Sequence, residues 1–454
     1  MNDDLVAEQK LREARERVMT RQDTVINRGK IPIHLLQQTL FEKQFYDLKC
    51  DLVAWDAEST FGSKKYSESD WDKLNNTKAS GGLPTKFSLK PGVQVFGWHP
   101  YWMGSAYKSY NFSLLSTVAY YGAEIDPSTG EITNKHGWES TELTTLALGT
   151  PLDEPCRVEL TIINMGEENN RQLLSQEWRR ETLIDSLKDL VIKRGDGICL
   201  DFEGVPLSMR DSLTQFVTVL RDSFKSAGKH VVDSVARYFD GFSITMVLPC
   251  FDWTGAYDVK KLAPLVDRFV VTGYDYYGSF SSHTGPVAPL NSGLTWAAPN
   301  IERSVADYRQ KGIPPAKLLL GLPYYGASWQ TVNTETPSQA VQFINFPLYR
   351  DVRNEMALRR INYDTTSVTA FYVSKDPVPI QYWFENQETL SEKYRWILRN
   401  RLGGVGIWAL GYDNGYPELW QSLRENFAQG WLSEDTTYRS RFIAAANDTT
   451  ALPK

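Results

Sequence analysis

The chain reads as an α/β protein whose main body is a closed (β/α)8 barrel. Three observations predict this: eight short apolar runs between residues 93 and 413, helix-period segments between them, and polar or aromatic groups closing most runs. The runs are VQVFGWHPYW from Val93, STVAYYGAEI from Ser116, RVELTIINMG from Arg157, GICLDFEG from Gly197, SITMVLPC from Ser243, RFVVTGYDYYG from Arg268, KLLLGLPYYG from Lys317 and GVGIWALGYD from Gly404. Strands rich in Val, Ile and Leu that alternate with helices belong to a parallel sheet covered on its outer face, and eight such units close on themselves.

Taken in order, residues 5–28 are rich in Leu, Glu, Arg, Lys and Gln and lack proline, which predicts an exposed helix, with a second over 34–49. Together they form an N-terminal helical arm, 1–56. Composition then turns to Ser, Lys, Asp, Asn and Gly, with GGLP at 81–84 and PG at 91–92, so 57–91 is expected to be a linker or loop-rich segment. The barrel occupies 92–427. Its helices are clearest at 179–194, 208–227 and 301–311, where apolar residues recur at helical intervals. Between the seventh and eighth runs lies the longest gap, 330–385, containing TAFYVS and IQYWF. A connection this long carries structure of its own, read here as a small α+β insertion walling one side of a cleft. Residues 428–454 are a C-terminal tail.

Composition narrows the partners. The 454 residues are 42% hydrophobic and 23% charged with a net charge of −6, giving no field for nucleic acid or another polyanion and leaving room for a neutral ligand. Fourteen Trp and 23 Tyr fill cores but also offer flat faces that suit sugars. Four cysteines without CxxC spacing and five histidines without HExxH predict no metal and no cofactor. No run of eighteen apolar residues predicts a transmembrane segment, and MNDDLVAEQK does not read as a leader.

In a barrel of this kind the chemistry sits at the carboxyl ends of the strands. The groups placed there are Trp98 and Tyr101, Tyr121 and Glu124, Asn164, Glu203, Asp252, Tyr274 and Asp275, Tyr324 and Tyr325, and Trp408. The fourth run is the most informative. In DGICLDFE, residues 196–203, strand alternation puts Cys199, Asp201 and Glu203 on one face, the two carboxylates roughly 6 to 7 Å apart along the backbone. At that spacing one charge raises the other's pKa, as a proton-donating glutamate requires. A strand end with merely solvated or ion-paired acids produces the same pattern.

The motif, with HPYW near the first strand, NMGEENN after the third, DFEGVP at the fourth, a Tyr-Asp pair after the sixth and WALGYD at the eighth, resembles glycoside hydrolase family 18. These are the TIM-barrel chitinases and N-acetylglucosaminidases, including their bacterial spore-cortex and peptidoglycan-directed branch. The resemblance implies a retaining glycosidase acting on β-1,4-linked N-acetylglucosamine glycans, chitin-like or peptidoglycan. Glu203 would protonate the glycosidic oxygen, Asp201 would orient the substrate's N-acetyl group as internal nucleophile, and Tyr274 would bond its carbonyl oxygen. Asp275 would hold sugar or acid in register, Trp408 would floor the cleaved sugar, and Trp98, Tyr101, Tyr276 and Tyr325 are candidate sugar-binding aromatics. Trp102, Trp253, Tyr277 and Trp329 belong to the same group.

One departure stands out within the motif residues Asp196, Gly197 and Cys199. The fuller family pattern is DGxDxDxE, and Cys199 occupies the inner carboxylate's place. Losing that charge is expected to leave Asp201 ionised over the working range; alternatively, Cys199 is a small buried filler. Other readings are a non-hydrolytic, lectin-like glycan-binding barrel and a module of a larger envelope assembly with a protein partner on the N-terminal arm. Because such polymers lie outside the cytoplasm, a cell-envelope or secreted location is expected, otherwise a cytoplasmic one.

Overall fold

The computed structural model describes residues 67–78, 86–148, 156–225, 231–232, 235–236, 241–375 and 377–430. The expected helices at 5–28 and 34–49, with most of the C-terminal tail, lie outside the described residues.

All eight runs form strands: β1 Gln94–Pro100, β2 Thr117–Ile125, β3 Arg157–Met165, β4 Gly197–Glu203, β5 Ser243–Leu248, β6 Arg268–Thr272, β7 Leu318–Pro323 and β8 Gly404–Trp408. Each pairs in parallel with the next, and β8 returns to β1 through Gln94 opposite Gly404, so the sheet closes. A short strand, Ile132–Asn134, adds antiparallel to the end of β2. The helices are α1 Glu68–Asn75, α2 Leu143–Leu148, α3 Glu167–Ser175, α4 Glu177–Val191, α5 Arg210–Lys225, α6 Val259–Leu262, α7 Ile301–Lys311, α8 Tyr349–Met356, α9 Gln387–Arg399 and α10 Pro417–Phe427. In α4 the residues Leu183, Ile184, Leu187, Leu190 and Val191 are buried, the stripe that turns its apolar face to the sheet.

Strand spacing explains two features of the sequence. Gly197 begins β4 where a Cβ would stand 2.2 Å from the Ser243 hydroxyl and 2.4 Å from its carbonyl, so only glycine lets β4 and β5 meet there. Asp196, fully buried, accepts from the Val158 amide at 2.8 Å through Oδ2, clipping the start of β4 to β3. The first two residues of the motif therefore shape the strand.

The amino ends of the strands hold a buried polar plug. Arg268 Nη1 donates to Glu159 Oε1 at 2.6 Å, its Nε donates to Gln94 at 2.8 Å, and the Ser243 hydroxyl donates to the same Glu159 oxygen at 2.5 Å. The Glu159 side chain is 0% exposed.

Two segments differ from the sequence expectation. Within the presumed linker, α1 is a capped helix: Ser67 and Asp70 form a reciprocal capping box and Trp71 is buried. Its polar composition disguised it, since only Trp71 and Asn75 face inward. The insertion begins earlier than 330: Gly326–Thr331, Ala340–Asn345, Asn362–Asp364, Thr369–Ser374 and Ile380–Phe384 form one antiparallel sheet with α8. The buried Lys393–Glu385 pair, 2.5 Å, joins the end of this sheet to α9.

Candidate active site

The carboxyl end of β4 brings Asp201 and Glu203 together. Asp201 is buried, whereas Glu203, at the strand's last position, keeps part of its surface open. Their carboxyls interact directly: hydrogen bonding from Glu203 favours the Asp201 anion, while the Asp201 charge disfavours that of Glu203. Burial pushes the Asp201 carboxyl up to about 7, partly offset by hydrogen bonds from Tyr121 and Glu203. Glu203 is driven well above the usual carboxylate range by burial first, then by the charges of Asp201 and Asp275. Asp201 Oδ1 is buried without a hydrogen-bond partner among the described residues.

Against the expectation that Asp201 stays ionised once Cys199 replaces the inner carboxylate, burial opposes its charge. Cys199 is fully buried beside Trp98 and Thr161, its thiol held far from ionisation by dehydration and the charges of Glu159 and Asp201. It is the small filler. The carboxyl that interacts with Asp201 is that of Glu203, since the neutral Cys199 thiol adds no charge on its inner side.

The backbone at Glu203 is fixed from outside the barrel. Its carbonyl accepts from the Gly166 amide at 3.0 Å and the Asn170 side chain at 2.7 Å, and Asn170 is itself joined to Asn164 at 3.1 Å. The NMGEENN segment thus works as a clamp on the end of β4. From the loop after β5, the Tyr257 hydroxyl donates to the Phe202 carbonyl at 2.5 Å. Tyr257 and the clamping role of the NMGEENN segment were missed in the sequence because backbone clamps leave no spacing signal across separate elements.

Tyr274 and Asp275 follow β6. The Tyr274 phenol lies in the combined field of Glu203, Asp201 and Asp275, and its burial raises its pKa well above the ordinary tyrosine value. Asp275 has φ +60°, a left-handed conformation that Asp tolerates better than most residues, and its Oδ1 accepts from the Tyr325 hydroxyl. Tyr325 therefore anchors Asp275 and is itself buried, which corrects its expected role as a sugar face. Tyr121, named only as a strand-end residue, belongs to the site through its hydroxyl on Asp201.

Trp408 ends β8 half-buried, with Tyr121, Trp98 and Trp102 edge-on around it at ring-centroid distances of 4.7, 5.7 and 6.5 Å. Three other expected sugar faces do not open to the cleft. Trp98 is 1% exposed, packed inside the barrel on Phe96. Tyr101 has its ring covered by His136, stacked at 3.6 Å. Tyr276 is buried, its hydroxyl 2.6 Å from Ser304 on α7. Trp329 is fully buried as well, donating to the Gly278 carbonyl at 3.2 Å, and Trp102 is buried. Tyr277 accepts the Ala297 amide, whereas Trp253 remains half-buried against Phe251. Strand alternation alone could not separate these: Tyr101, Trp102, Trp253, Tyr276 and Tyr277 lie between strands with no fixed face, and on the strands it does not say how closely neighbours cover Trp98 and Trp329.

The raised Asp201 carboxyl predicts a pH effect on stability. Its folded pKa lies above the ordinary 3.8, so the folded protein holds a proton that the unfolded chain releases. Stabilisation from that proton is complete below about pH 4 and is lost as pH rises through about 7. Asp201→Asn is expected to remove this dependence, raising Tm at pH 8 relative to the parent by about 2–4 °C, checked by thermal melts at pH 5 and pH 8. An equal Tm difference at both pH values would contradict it.

Among the described residues, no group of three or more His, Cys, Asp or Glu is arranged to hold a metal ion, and no helix is long and apolar enough to cross a membrane.

The family model for Glycosyl hydrolases family 18 matches residues 99–413. A cortical fragment-lytic enzyme of Bacillus subtilis (strain 168) is 25% identical over 268 residues, 58% of this chain and 57% of that protein, so the match spans little more than half of that relative. A mutant GH18 chitinase of Cycas revoluta solved with (GlcNAc)4 superposes with TM-score 0.64 at 22% identity, covering 74% of this chain and 99% of that one. A chitinase-like agglutinin of Robinia pseudoacacia shares the fold at TM-score 0.63 and 20% identity, covering 72% and 98%.

Proposed function

The chain belongs to glycosyl hydrolases family 18, and on that premise we propose that it is a retaining glycosidase that cleaves β-1,4-linked N-acetylglucosamine glycans of the chitin or peptidoglycan type. The observation that carries this reading is the pairing of Asp201 and Glu203 at the carboxyl end of β4, with Tyr121, Tyr274 and Trp408 around it.

Burial and the charges of Asp201 and Asp275 hold the Glu203 carboxyl toward its protonated form, so it is suited to protonate the glycosidic oxygen. As the bond from the anomeric carbon to that oxygen breaks, the sugar's own acetamido carbonyl oxygen bonds to the anomeric carbon and forms an oxazolinium ion. Asp201 accepts the acetamido N–H through Oδ1 and balances the positive charge, an interaction that strengthens toward the transition state. Tyr274 donates to the acetamido oxygen, and Trp408 floors the sugar. Glu203, now anionic, takes a proton from a water whose oxygen bonds to the anomeric carbon as its bond to the acetamido oxygen breaks, which restores the acid, regenerates the free acetamide and retains the β configuration. Asp275, held by Tyr325, keeps the Glu203 proton in place through its charge. Such polymers place the enzyme at the cell envelope or outside the cell.

The test is product analysis on chitooligosaccharides, cello-oligosaccharides of equal length and intact peptidoglycan, with the anomeric configuration followed by NMR. The expected result is β-configured product from the N-acetylated substrates and no cleavage of the cello-series. Cleavage of both series at similar rates would remove the internal nucleophile from the mechanism. Binding of chitooligosaccharide without turnover would identify a lectin-like barrel instead.

A further inference from the structure

We infer that α1, the helix ahead of the barrel, is a brace for the cleft, and that Asp72 and Asn75 are positioning residues for the reaction through Trp102 and Trp408. This rests on the functional reading above.

The helix is tied to the segment after β1 by four side chains. Asp72 accepts the Ser105 amide at 2.7 Å and the Ser105 hydroxyl at 2.8 Å; Asn75 donates to the Trp102 carbonyl at 2.5 Å; Glu68 accepts the Tyr107 hydroxyl at 2.9 Å; and Trp71 meets Tyr101 edge-on at 6.0 Å. The fit is close. Gly104, at φ +55°, leaves the notch, since a Cβ there would lie 2.3 Å from Asp72 Oδ1. The same helix reaches two further loops of this face. Arg350 on α8 donates to the Asn75 carbonyl at 2.9 Å, and the amide of Lys78, just past the helix, donates to Asn414 at 3.3 Å, in the loop after β8.

Trp102 is where these contacts converge on chemistry. Its indole donates to the Tyr412 hydroxyl, and its ring packs edge-on against Trp408 and Tyr121, the latter bonded to Asp201. Loosening the backbone at Trp102 therefore moves the floor under the cleaved sugar without touching the acid. Misplacement by about 1 Å is enough to slow a reaction substantially even when binding, spread over many contacts, survives.

The experiment uses the full chain with Asp72→Ala and Asn75→Ala combined, and Asp72→Asn as the conservative variant that keeps one acceptor oxygen. On a chitooligosaccharide, kcat per folded molecule is expected to fall about tenfold with KM changed less than about twofold, and Asp72→Asn is expected to recover most of the rate. Amide hydrogen exchange is expected to rise both at 98–110 and at 404–413. A loss of kcat that only tracks the unfolded fraction, or unchanged protection at 404–413 despite release of 98–110, overturns the inference. If the wild-type chain hydrolyses no N-acetylglucosamine oligomer, the functional reading falls, while exchange at 404–413 still decides whether α1 braces Trp408.

Discussion

Glu203→Gln is expected to lower kcat on a chitooligosaccharide by about 10²–10⁴-fold, the range that positioned general acids contribute, with oligosaccharide affinity retained. Glutamine keeps the volume and one hydrogen bond but cannot deliver a proton at the moment the glycosidic bond breaks. The same change removes the charge that competes with Asp201 for a proton, so Asp201 ionises more readily in the variant. A substrate whose leaving group needs no protonation, such as an activated aryl glycoside, should therefore be cleaved by the variant with a much smaller loss in the first step. Rates on native and activated substrates, measured side by side with affinity by calorimetry, check this. If both substrates lose rate equally, Glu203 acts in some capacity other than proton donor.

Arg268→Ala is expected to destabilise the protein by about 3–5 kcal/mol, because it leaves the Glu159 carboxylate at 0% exposure with its principal counter-charge gone. Gln94 loses its Nε donor in the same step. The paired replacement Glu159→Leu with Arg268→Met takes both charges out of the core and is expected to fall within about 1–2 kcal/mol of the parent, since the attraction in such pairs is largely offset by desolvation. Urea denaturation midpoints for the three proteins check the ordering. The plug lies six residues down β3 from Met165, which pairs with Glu203, about 20 Å from the acid along the strand. The paired variant should thus keep its kcat. A midpoint for Arg268→Ala equal to the parent's would mean that Glu159 takes up a proton at little cost.

The barrel was legible because its signal is local and repeated. Eight apolar runs became eight strands, and the helix expected at 301–311 occupies those residues. The acid pair was legible for a similar reason: period-two alternation in GICLDFE sets Cys199, Asp201 and Glu203 on one face whatever surrounds them. The supporting residues were not. Asn170, Tyr257 and Tyr121 reach β4 from other elements, and α1 packs on the segment after β1 from 33 residues away at the Asp72–Ser105 bond. None of those contacts has a period to read.

The chain's order of residues by itself determined the architecture, the strand that carries the acids, and their common face, since each depends on backbone geometry within one element. Only the folded molecule decided that burial and mutual charge raise the carboxyls of Asp201 and Glu203 while Cys199 stays neutral, and that Trp98, Tyr101 and Tyr276 turn into packing while Trp408 remains partly open. The physical reason is that ionisation and exposure are properties of surroundings: dehydration and neighbouring charge act through space, from side chains brought together by closure of the barrel.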